Sequence, residues 1–192
     1  NIVHLPHVYT DLGYDPLKDF VPVAQMVEND FALTISTKIP ATNLKEFAAW
    51  CNANPDKATF ASPGAGSSPH LMGLVVAKSL GTKLTHVPYK GSSFALTDLI
   101  GGHVSAMVSS TSFVVQQHKS NQVRILATTG RARSGALPQV PTFQEMGMGE
   151  LTLTEGTWLL APARTPQAII DKASDAAILA VQGPEMQAVI DG

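Results

Sequence analysis

Between residues 59 and 119 one local pattern occurs three times: a short apolar segment ends in glycine, serine or threonine, and a helical pattern follows. The apolar segments are Thr59–Ala61, Leu84–Val87 and Val104–Val108, and a fourth, Val123–Ala127, ends in Thr128-Thr129-Gly130. Such alternation is typical of an α/β lobe with a largely parallel sheet. Because ligands of these sheets bind beyond the carboxyl ends of the strands, the sequence predicts a site lined by hydroxyl groups and glycines.

The turn richest in glycine and serine is TFASPGAGSSPH at residues 59–70. Gly64 and Gly66 can adopt positive φ and let the backbone approach a ligand, and Ser67 or Ser68 can cap the following helix. Free N–H groups, hydroxyls and the positive end of a helix dipole then point to one place, which suits an anion. The histidine in the first turn, His70, either bonds that ligand or has a structural role.

Composition excludes several classes of function. The chain has 192 residues, of which 44% are hydrophobic and 15% charged, as in a globular protein with one sizeable core or two small lobes. Its formal net charge is −2 and its 13 Lys and Arg are scattered, which argues against nucleic acid or an anionic membrane surface as a partner. No apolar run reaches the ~18 residues of a membrane span. The single cysteine, Cys51, is interpreted as a small buried hydrophobe.

The order of segments predicts two lobes. Val21–Glu28 and Phe31–Thr37 are two strands or one long strand that changes partners. Past Arg131 the regular alternation of strand and helix patterns ends. We therefore assign residues 29–130 to a complete α/β lobe, lobe 2, and residues 1–28 with 131–192 to the incomplete remainder of lobe 1, with a cleft between the two lobes. Since the chain opens without an initiator methionine or a visible signal peptide, we expect it to be trimmed or fragmentary.

Three further local structures are predicted. Asn43 and Glu46 form a capping-box pattern for a helix that runs to Ala53. Residues 136–147 form a turn between two prolines and then a short helix. A strand at 151–161 that contains Trp158 and an amphipathic helix at 168–181 follow. Trp158 either lines a cleft or is a core aromatic.

Motifs of catalysis and metal binding are missing or incomplete. The Gly64-x-Gly66 pair lacks the third glycine of a dinucleotide fingerprint because Pro69 occupies that position, and no P-loop, GxSxG or SxxK motif occurs. His4-x-x-His7 has no second ligand cluster, so both are interpreted as ordinary histidines. The sequence thus predicts no catalytic residues, no metal and no cofactor, and Lys90 is either a solvated loop residue or a weak attractor of anions.

Several segments together resemble the Bug-type periplasmic receptors of tripartite tricarboxylate transporters. They are YDPLKDFVPVA (14–24), NPDKATFASPGAGSSPHLMG (54–73), THVPYKGSSFALTDLIGG (85–102), LPQVPTFQEMG (137–147) and WLLAPARTP (158–166). The resemblance implies the two-lobed, type II periplasmic-binding-protein fold with a central cleft. It also implies a periplasmic location, capture of a small organic carboxylate without catalysis, and delivery to a membrane permease.

In that family two loops, one from each lobe, hold a carboxylate through backbone amides, hydroxyls and water. The resemblance assigns Gly64, Ala65, Gly66, Ser67, Ser68 and His70 to the second-lobe loop. It places the first-lobe loop in a segment of about 70 to 80 residues that is expected before residue 1, roughly two βαβ-sized units. Family members often have Asp and Asn where this chain has Ser109 and Ser110, and we expect Ser109, Ser110, Thr111 and Trp158 to select the remainder of the ligand.

Two other classes of function remain open from the residues themselves. An α/β enzyme that acts on a small anionic substrate would place its site at the same sheet edge. The ligand-sensing effector domain of a transcription regulator shares this design, although the sequence shows no DNA-reading helix or basic arm.

Overall fold

The computed structural model describes Pro6, residues 11–184 and Met186. The three predicted strand–turn–helix units are present. The elements, in chain order, are β1 (Phe20–Ser36), α1 (Leu44–Ala53), β2 (Thr59–Ser62), α2 (Ser68–Ser79), β3 (Thr85–Pro88), α3 (Ser92–Gly101), β4 (Ala106–Ser110), α4 (Thr111–Lys119), β5 (Val123–Thr128), β6 (Thr154–Pro162) and α5 (Gln167–Gln182). A 3-10 turn, Gly149–Leu151, precedes β6.

The chain divides into two compact units. One unit is Asp30–Thr154, and the other contains the described residues before Asp30 and after Thr154. The end of the strand–helix alternation at Arg131 groups residues 131–153 with the second unit in the sequence. In the structure they belong to the first. The reason is that Phe143 N–H donates to the Thr128 carbonyl at 2.9 Å and Leu153 N–H to that of Thr129 at 2.9 Å. The assignment of these units to the lobes of a receptor stays a prediction.

The unit Asp30–Thr154 contains strands in the order β3-β2-β4-β1-β5. β2 is parallel to β3 and to β4, while β1 runs antiparallel to both β4 and β5. β1 is one long strand, as one of the two sequence interpretations held. The carboxyl ends of β2, β3, β4 and β5 therefore lie along one edge of the sheet, together with the start of β1's stretch in this unit.

Alternate residues of the strands enter two cores, one on each face of this sheet. Phe31, Leu33 and Phe60 pack on one face with buried residues of α1 and α2. Ala32 and Met107 pack on the other face with residues of α3 and α4. Helices on both faces are what a sheet with parallel βα units requires. Cys51 is buried in the first core, and burial raises the pKa of its thiol to about 11.

Capping follows the sequence pattern with one change. Asn43 Oδ1 accepts a hydrogen bond from Glu46 N–H at 2.9 Å and so caps α1. The Glu46 carboxylate returns to the Thr42 N–H at 2.7 Å rather than to the cap residue's own N–H. Bonds from Thr42 lower the pKa of Glu46.

The short helix predicted near residues 142–147 is wrong. These residues form a turn in which Thr142 N–H donates to Glu145 Oε2 at 2.9 Å and Glu145 N–H donates to Thr142 Oγ1 at 3.1 Å. The reciprocal bonds satisfy the polar groups of one turn, and Gly147, at φ 79°, leads the chain away from a helical path.

The second unit places β6 beside β1, and α5 follows. Ala163 N–H, just after β6, donates to the Asp19 carbonyl at 2.9 Å, just before β1. The predicted strand and amphipathic helix are therefore both present. In the part of the chain that the structure describes, no helix has the length and apolar character needed to cross a membrane.

Candidate functional site

The turn between β2 and α2 is held in shape by its own side chains. The Ser62 and Ser67 hydroxyls both donate to the Gly64 carbonyl, at 3.1 and 2.7 Å. Gly66 has φ 76°, which a residue with a Cβ adopts only with strain, whereas Gly64 does not have the positive φ that we expected. Ser67 is the cap of α2 and accepts from His70 N–H at 3.4 Å.

The rings of His70, His86 and Phe60 pack together beside this turn. His70 stacks on His86 of β3 with centroids 3.8 Å apart, and His86 lies 4.8 Å from Phe60 of β2. His70 Nδ1 accepts the N–H of Gly66 at 3.1 Å, and His86 Nε2 lies 2.8 Å from Ser62 Oγ. Burial, and next the charge of His70, lower the pKa of His86.

The backbone amides of the turn are not equally available to a ligand. Gly66 N–H bonds to His70, and Ser67 N–H bonds to the Gly64 carbonyl at 3.3 Å. Ala65 is exposed, and no described residue accepts its N–H. A Cβ added to Gly64 would meet nothing within 4 Å, so the space beside the turn is open. Of the Ala65, Gly66 and Ser67 amides, that of Ala65 is the one without an acceptor among the described residues.

The second group of predicted site residues begins α4. Ser109 and Thr111 are 1% and 3% exposed, and the Thr111 hydroxyl has no hydrogen-bond partner among the described residues. Ser110, half-buried, is the cap residue, but its side chain makes no capping bond. The first N–H groups of α4 therefore lack a side-chain cap, and the positive end of the helix dipole is not neutralised by a first-turn acid.

In the turn after β3, the Tyr89 side chain is bonded to Asp98 of α3. Tyr89 Oη donates to Asp98 Oδ2 at 2.6 Å, and burial together with this bond raises the pKa of Tyr89 to about 12. Lys90 is exposed, in keeping with its interpretation as a solvated loop residue.

Strand register brings the two groups together. Phe60 and Ala61 lie beside Ala106 and Met107, so the turn after β2 and the start of α4 leave adjacent parallel strands at the same edge. Trp158 belongs to the other unit, on β6, and is 50% exposed rather than part of a core. The structure thus unites the predicted residues 64–70 and 109–111 on one unit.

Comparison with known proteins identifies the family of this chain. The family of tripartite tricarboxylate transporter receptors matches residues 1–191. The chain belongs to this receptor family. A UPF0065 protein encoded in the gbd 5′ region of Cupriavidus necator is 34% identical over 177 residues, which are 91% of this chain and 53% of that protein. The family resemblance stated from the sequence segments is therefore confirmed.

Solved receptors confirm the type II periplasmic-binding-protein fold. The periplasmic binding protein BugD has a TM-score of 0.88 and 31% identity, over 97% of this chain and 62% of that one. MatC from Rhodopseudomonas palustris, solved with bound malate, has a TM-score of 0.85 and 28% identity, over 96% of this chain and 63% of that one. The chain thus spans about half the length of the curated relative and under two thirds of these receptor structures.

Two residues at the receptor's candidate site were missed from the sequence. Asp30 lies where β1 starts in this unit, and its Oδ2 is 2.9 Å from the position that a Cβ on Gly130 would take. In the sequence Asp30 lies between the apolar segments Val21–Glu28 and Phe31–Thr37, and an acid in that position was a usable signal. His86 was missed because a single histidine in a four-residue strand is indistinguishable from a surface residue without its partner His70.

A separate pocket lies at the opposite edge of the receptor's sheet. Its volume is about 580 Å³, and it is lined by the end of α1, the β1–α1 loop and the α3–β4 loop, including Lys38, Trp50, Lys57 and His103. None of the predicted site residues lines it. Among the described residues no cluster of His, Cys, Asp and Glu fits a metal ion. His4 and His7 lie outside the described residues.

Proposed function

We propose that this chain is part of an extracytoplasmic solute-binding receptor that captures a small organic carboxylate and delivers it to a membrane permease. The observation that carries the proposal is the meeting of two anion-favouring features at one sheet edge. They are the 62–68 turn, in which the Ala65 N–H has no acceptor among the described residues, and the start of α4, which has no side-chain cap. Membership of the receptor family supports the same conclusion.

The ligand's carboxylate docks against the Ala65 amide and the open side of Gly64. The first N–H groups of α4 and the half-buried Ser110 hydroxyl face the remainder of the ligand. A charge-assisted hydrogen bond contributes about 1.5–3 kcal/mol. Two or three of them give micromolar affinity, about −8.2 kcal/mol, after the cost of ordering is subtracted. The ligand class is the small dicarboxylates, in line with the malate bound to MatC.

The receptor acts by binding alone, in the periplasm, with the permease subunits of a tripartite transporter as its partner. The candidate site offers no nucleophile with an adjacent base. His86 bonds to Ser62, but the Ser62 hydroxyl also donates to the Gly64 carbonyl at 3.1 Å and is buried. That hydroxyl serves the shape of the turn rather than attack on a substrate.

Thermal unfolding of the 192-residue chain against malate, succinate, citrate, benzoate and aspartate tests the proposal. An acid at one hundred times its Kd adds about 2.7 kcal/mol, which raises Tm by roughly 5–10 °C at this chain length. The same series is run on the chain extended at its amino end by the unit that the family resemblance implies, since a second loop adds donors. If neither chain responds to any acid, carboxylate capture is contradicted.

A matched pair of glycine variants ties binding to the turn. Gly66→Ala places a Cβ at φ 76° in the turn, and Gly81→Ala places one at φ 62° in open space just after α2. Both variants carry similar backbone strain, about 1–2 kcal/mol, but only the first distorts the proposed site. We expect Gly66→Ala to lose carboxylate binding and Gly81→Ala to keep it. Equal affinity in the two variants would remove the turn from the site.

A further inference from the structure

The shape of the 64–68 turn depends on the protonation state of one imidazole. Gly66 N–H donates to His70 Nδ1 at 3.1 Å, so Nδ1 carries a lone pair and the ring's single proton is on Nε2. An imidazolium has no acceptor and cannot make this bond. The tautomer is assigned from the hydrogen-bond partners.

The neighbouring histidine is fixed in the same way. The Ser62 hydroxyl has one proton, which it gives to the Gly64 carbonyl at 3.1 Å. His86 Nε2, 2.8 Å from the same hydroxyl, must then be the donor. His86 therefore orients Ser62, Ser62 holds the Gly64 carbonyl, and His70 holds the Gly66 amide, so both sides of Ala65 are anchored.

Stacking prevents His70 from adjusting in place when it is protonated. The ring lies 3.8 Å from His86, which in turn packs on the fully buried ring of Phe60. A tilt of the ring that moved Nδ1–H away from Gly66 N–H would break the stack, and a 180° flip about χ2 would keep the stack but present Cδ2–H, which is not an acceptor, to Gly66. Since two donors facing each other repel, the Gly66 N–H loses its acceptor in either case, and the turn loses this support.

We propose that His70 and His86 are positioning residues of the receptor, and that the neutral His70 holds the 64–68 turn in its carboxylate-binding shape. The effect on carboxylate binding rests on the proposed function, whereas the hydrogen bonds that shape the turn do not depend on it. Loss of the Nδ1 acceptor on protonation would then weaken carboxylate binding, even though an imidazolium alone would attract an anion. The loss of support for the turn outweighs that attraction because the anchored amide beside Gly64 is lost.

Few other charges lie on the elements around this pair. Among the described residues, His86 is the titratable group whose ring stacks on His70. Phe60 and Ser62 of β2 do not titrate. On the β3–α3 turn, Tyr89 and Asp98 bond each other, and Lys90 is exposed. On α2, Lys78 lies in the last turn, two turns from His70. The acid-side response is therefore assigned to the histidine pair.

The first experiment needs no ligand. Imidazole ¹⁵N spectra of the 192-residue chain at pH 8 should show His70 as the Nε2–H tautomer, and hydrogen exchange should show a protected Gly66 amide. His70→Asn retains an acceptor, Oδ1, near the position of Nδ1, and should keep the protection. His70→Leu should lose it. An Nδ1–H tautomer, or equal Gly66 exchange in the Leu variant, overturns the proposal.

The second experiment measures malate affinity from pH 8 to pH 5.5. The Leu variant should bind roughly two- to tenfold more weakly at pH 8, as for one lost hydrogen bond. A requirement for a neutral imidazole loses about tenfold one pH unit below that imidazole's pKa. We expect this loss when the malate affinity of the wild type is compared with that of His70→Asn at each pH. Malate ionises identically in the two experiments, whereas the side chain at position 70 of the variant does not ionise. His103→Asn, at an exposed histidine, is the control and should behave as wild type.

The outcomes separate this proposal from the proposed function. Affinity that rises in acid in the wild type but not in His70→Asn would make His70 an attractive ligand contact and overturn the positioning role. If malate binds neither variant nor wild type at pH 8, capture of that acid fails. The tautomer and the Gly66 exchange still decide the role of His70 in that case. His86→Gln, which keeps a donor toward Ser62, should retain Gly66 protection better than His86→Leu.

Discussion

Replacing Gly73 by alanine should destabilise the unit Asp30–Thr154, although alanine is the better helix former. Gly73 lies inside α2, and a Cβ there would come within 2.1, 2.5 and 2.8 Å of three atoms of the Phe60 ring. Phe60 is fully buried and packs against His86 with ring centroids 4.8 Å apart, so its ring has no free space to move into. Overpacking costs about 1–3 kcal/mol, and helix propensity returns about 1 kcal/mol. The net loss is then up to about 2 kcal/mol, and the 2.1 Å approach places it toward the upper end of that range.

Urea unfolding followed by tryptophan fluorescence measures this loss. The chain has two tryptophans, so in a Trp158→Phe background Trp50 of α1 reports on the first unit alone. Gly101→Ala is the matched control, because the Cβ meets the ring of His103 at 2.8 Å but that ring is exposed and can move. The control should be neutral or slightly stabilising.

A double-mutant cycle identifies the cause. Phe60→Leu removes the ring atoms that collide, so the Gly73→Ala change should cost less in that background, with a coupling of roughly 0.5–3 kcal/mol. A Gly73→Ala variant more stable than wild type, or one whose cost is the same with Phe60 and with Leu, would show that the reasoning about close packing is incorrect.

Four further predictions concern caps, charges and the candidate site. Asn43→Ala should lower the free energy of unfolding by about 0.5–2 kcal/mol, measured in urea, because α1 loses its cap, and Asn43→Asp should not. A bond from Thr142 N–H, and next Arg133, lower the pKa of Glu145, so its stabilisation is present above its unfolded pKa and is lost as pH falls through the folded one. The stability difference between wild type and Glu145→Gln should accordingly shrink on acidification from pH 7 to pH 3. Thr111→Val should raise the free energy of unfolding by about 1 kcal/mol and leave malate affinity unchanged, since the buried hydroxyl has no partner among the described residues. Asp30→Asn should strengthen malate binding, measured by calorimetry, by roughly two- to thirtyfold if the bound anion lies about 8 Å away, and a weaker complex would contradict this.

The sequence predicted most of the unit Asp30–Thr154 because its signals are local. The cap of α2, predicted at Ser67 or Ser68 and found at Ser67, and the cap of α1 at Asn43 each depend on a few neighbouring residues. The unit to which residues 131–153 belong could not be predicted from local sequence. Their polar turns resemble a connector, and only the buried Phe143, bonded to β5, shows to which unit they belong. The bonds between Thr142 and Glu145 likewise mimic a helix start in sequence.

The site was predictable as a set of residues but not as a set of available groups. Glycine and hydroxyl patterns indicate which turns can face a ligand. They do not show that Gly66 N–H is already bonded to His70, or that the Ser109 and Thr111 side chains are buried. Both facts depend on packing between residues far apart in sequence, such as His70 on α2 against His86 on β3.

The direction of β1 explains how an acid reaches an edge made of hydroxyls and amides. β1 is antiparallel to β4 and β5, so the start of its stretch in this unit meets their carboxyl ends, and Phe31 pairs with Ser110. Asp30 therefore lies beside the start of α4. The local charge is set by Asp30 against the α4 dipole. A carboxylate of the ligand is repelled by Asp30 according to its distance, which is why replacement of Asp30 by Asn is expected to strengthen malate binding.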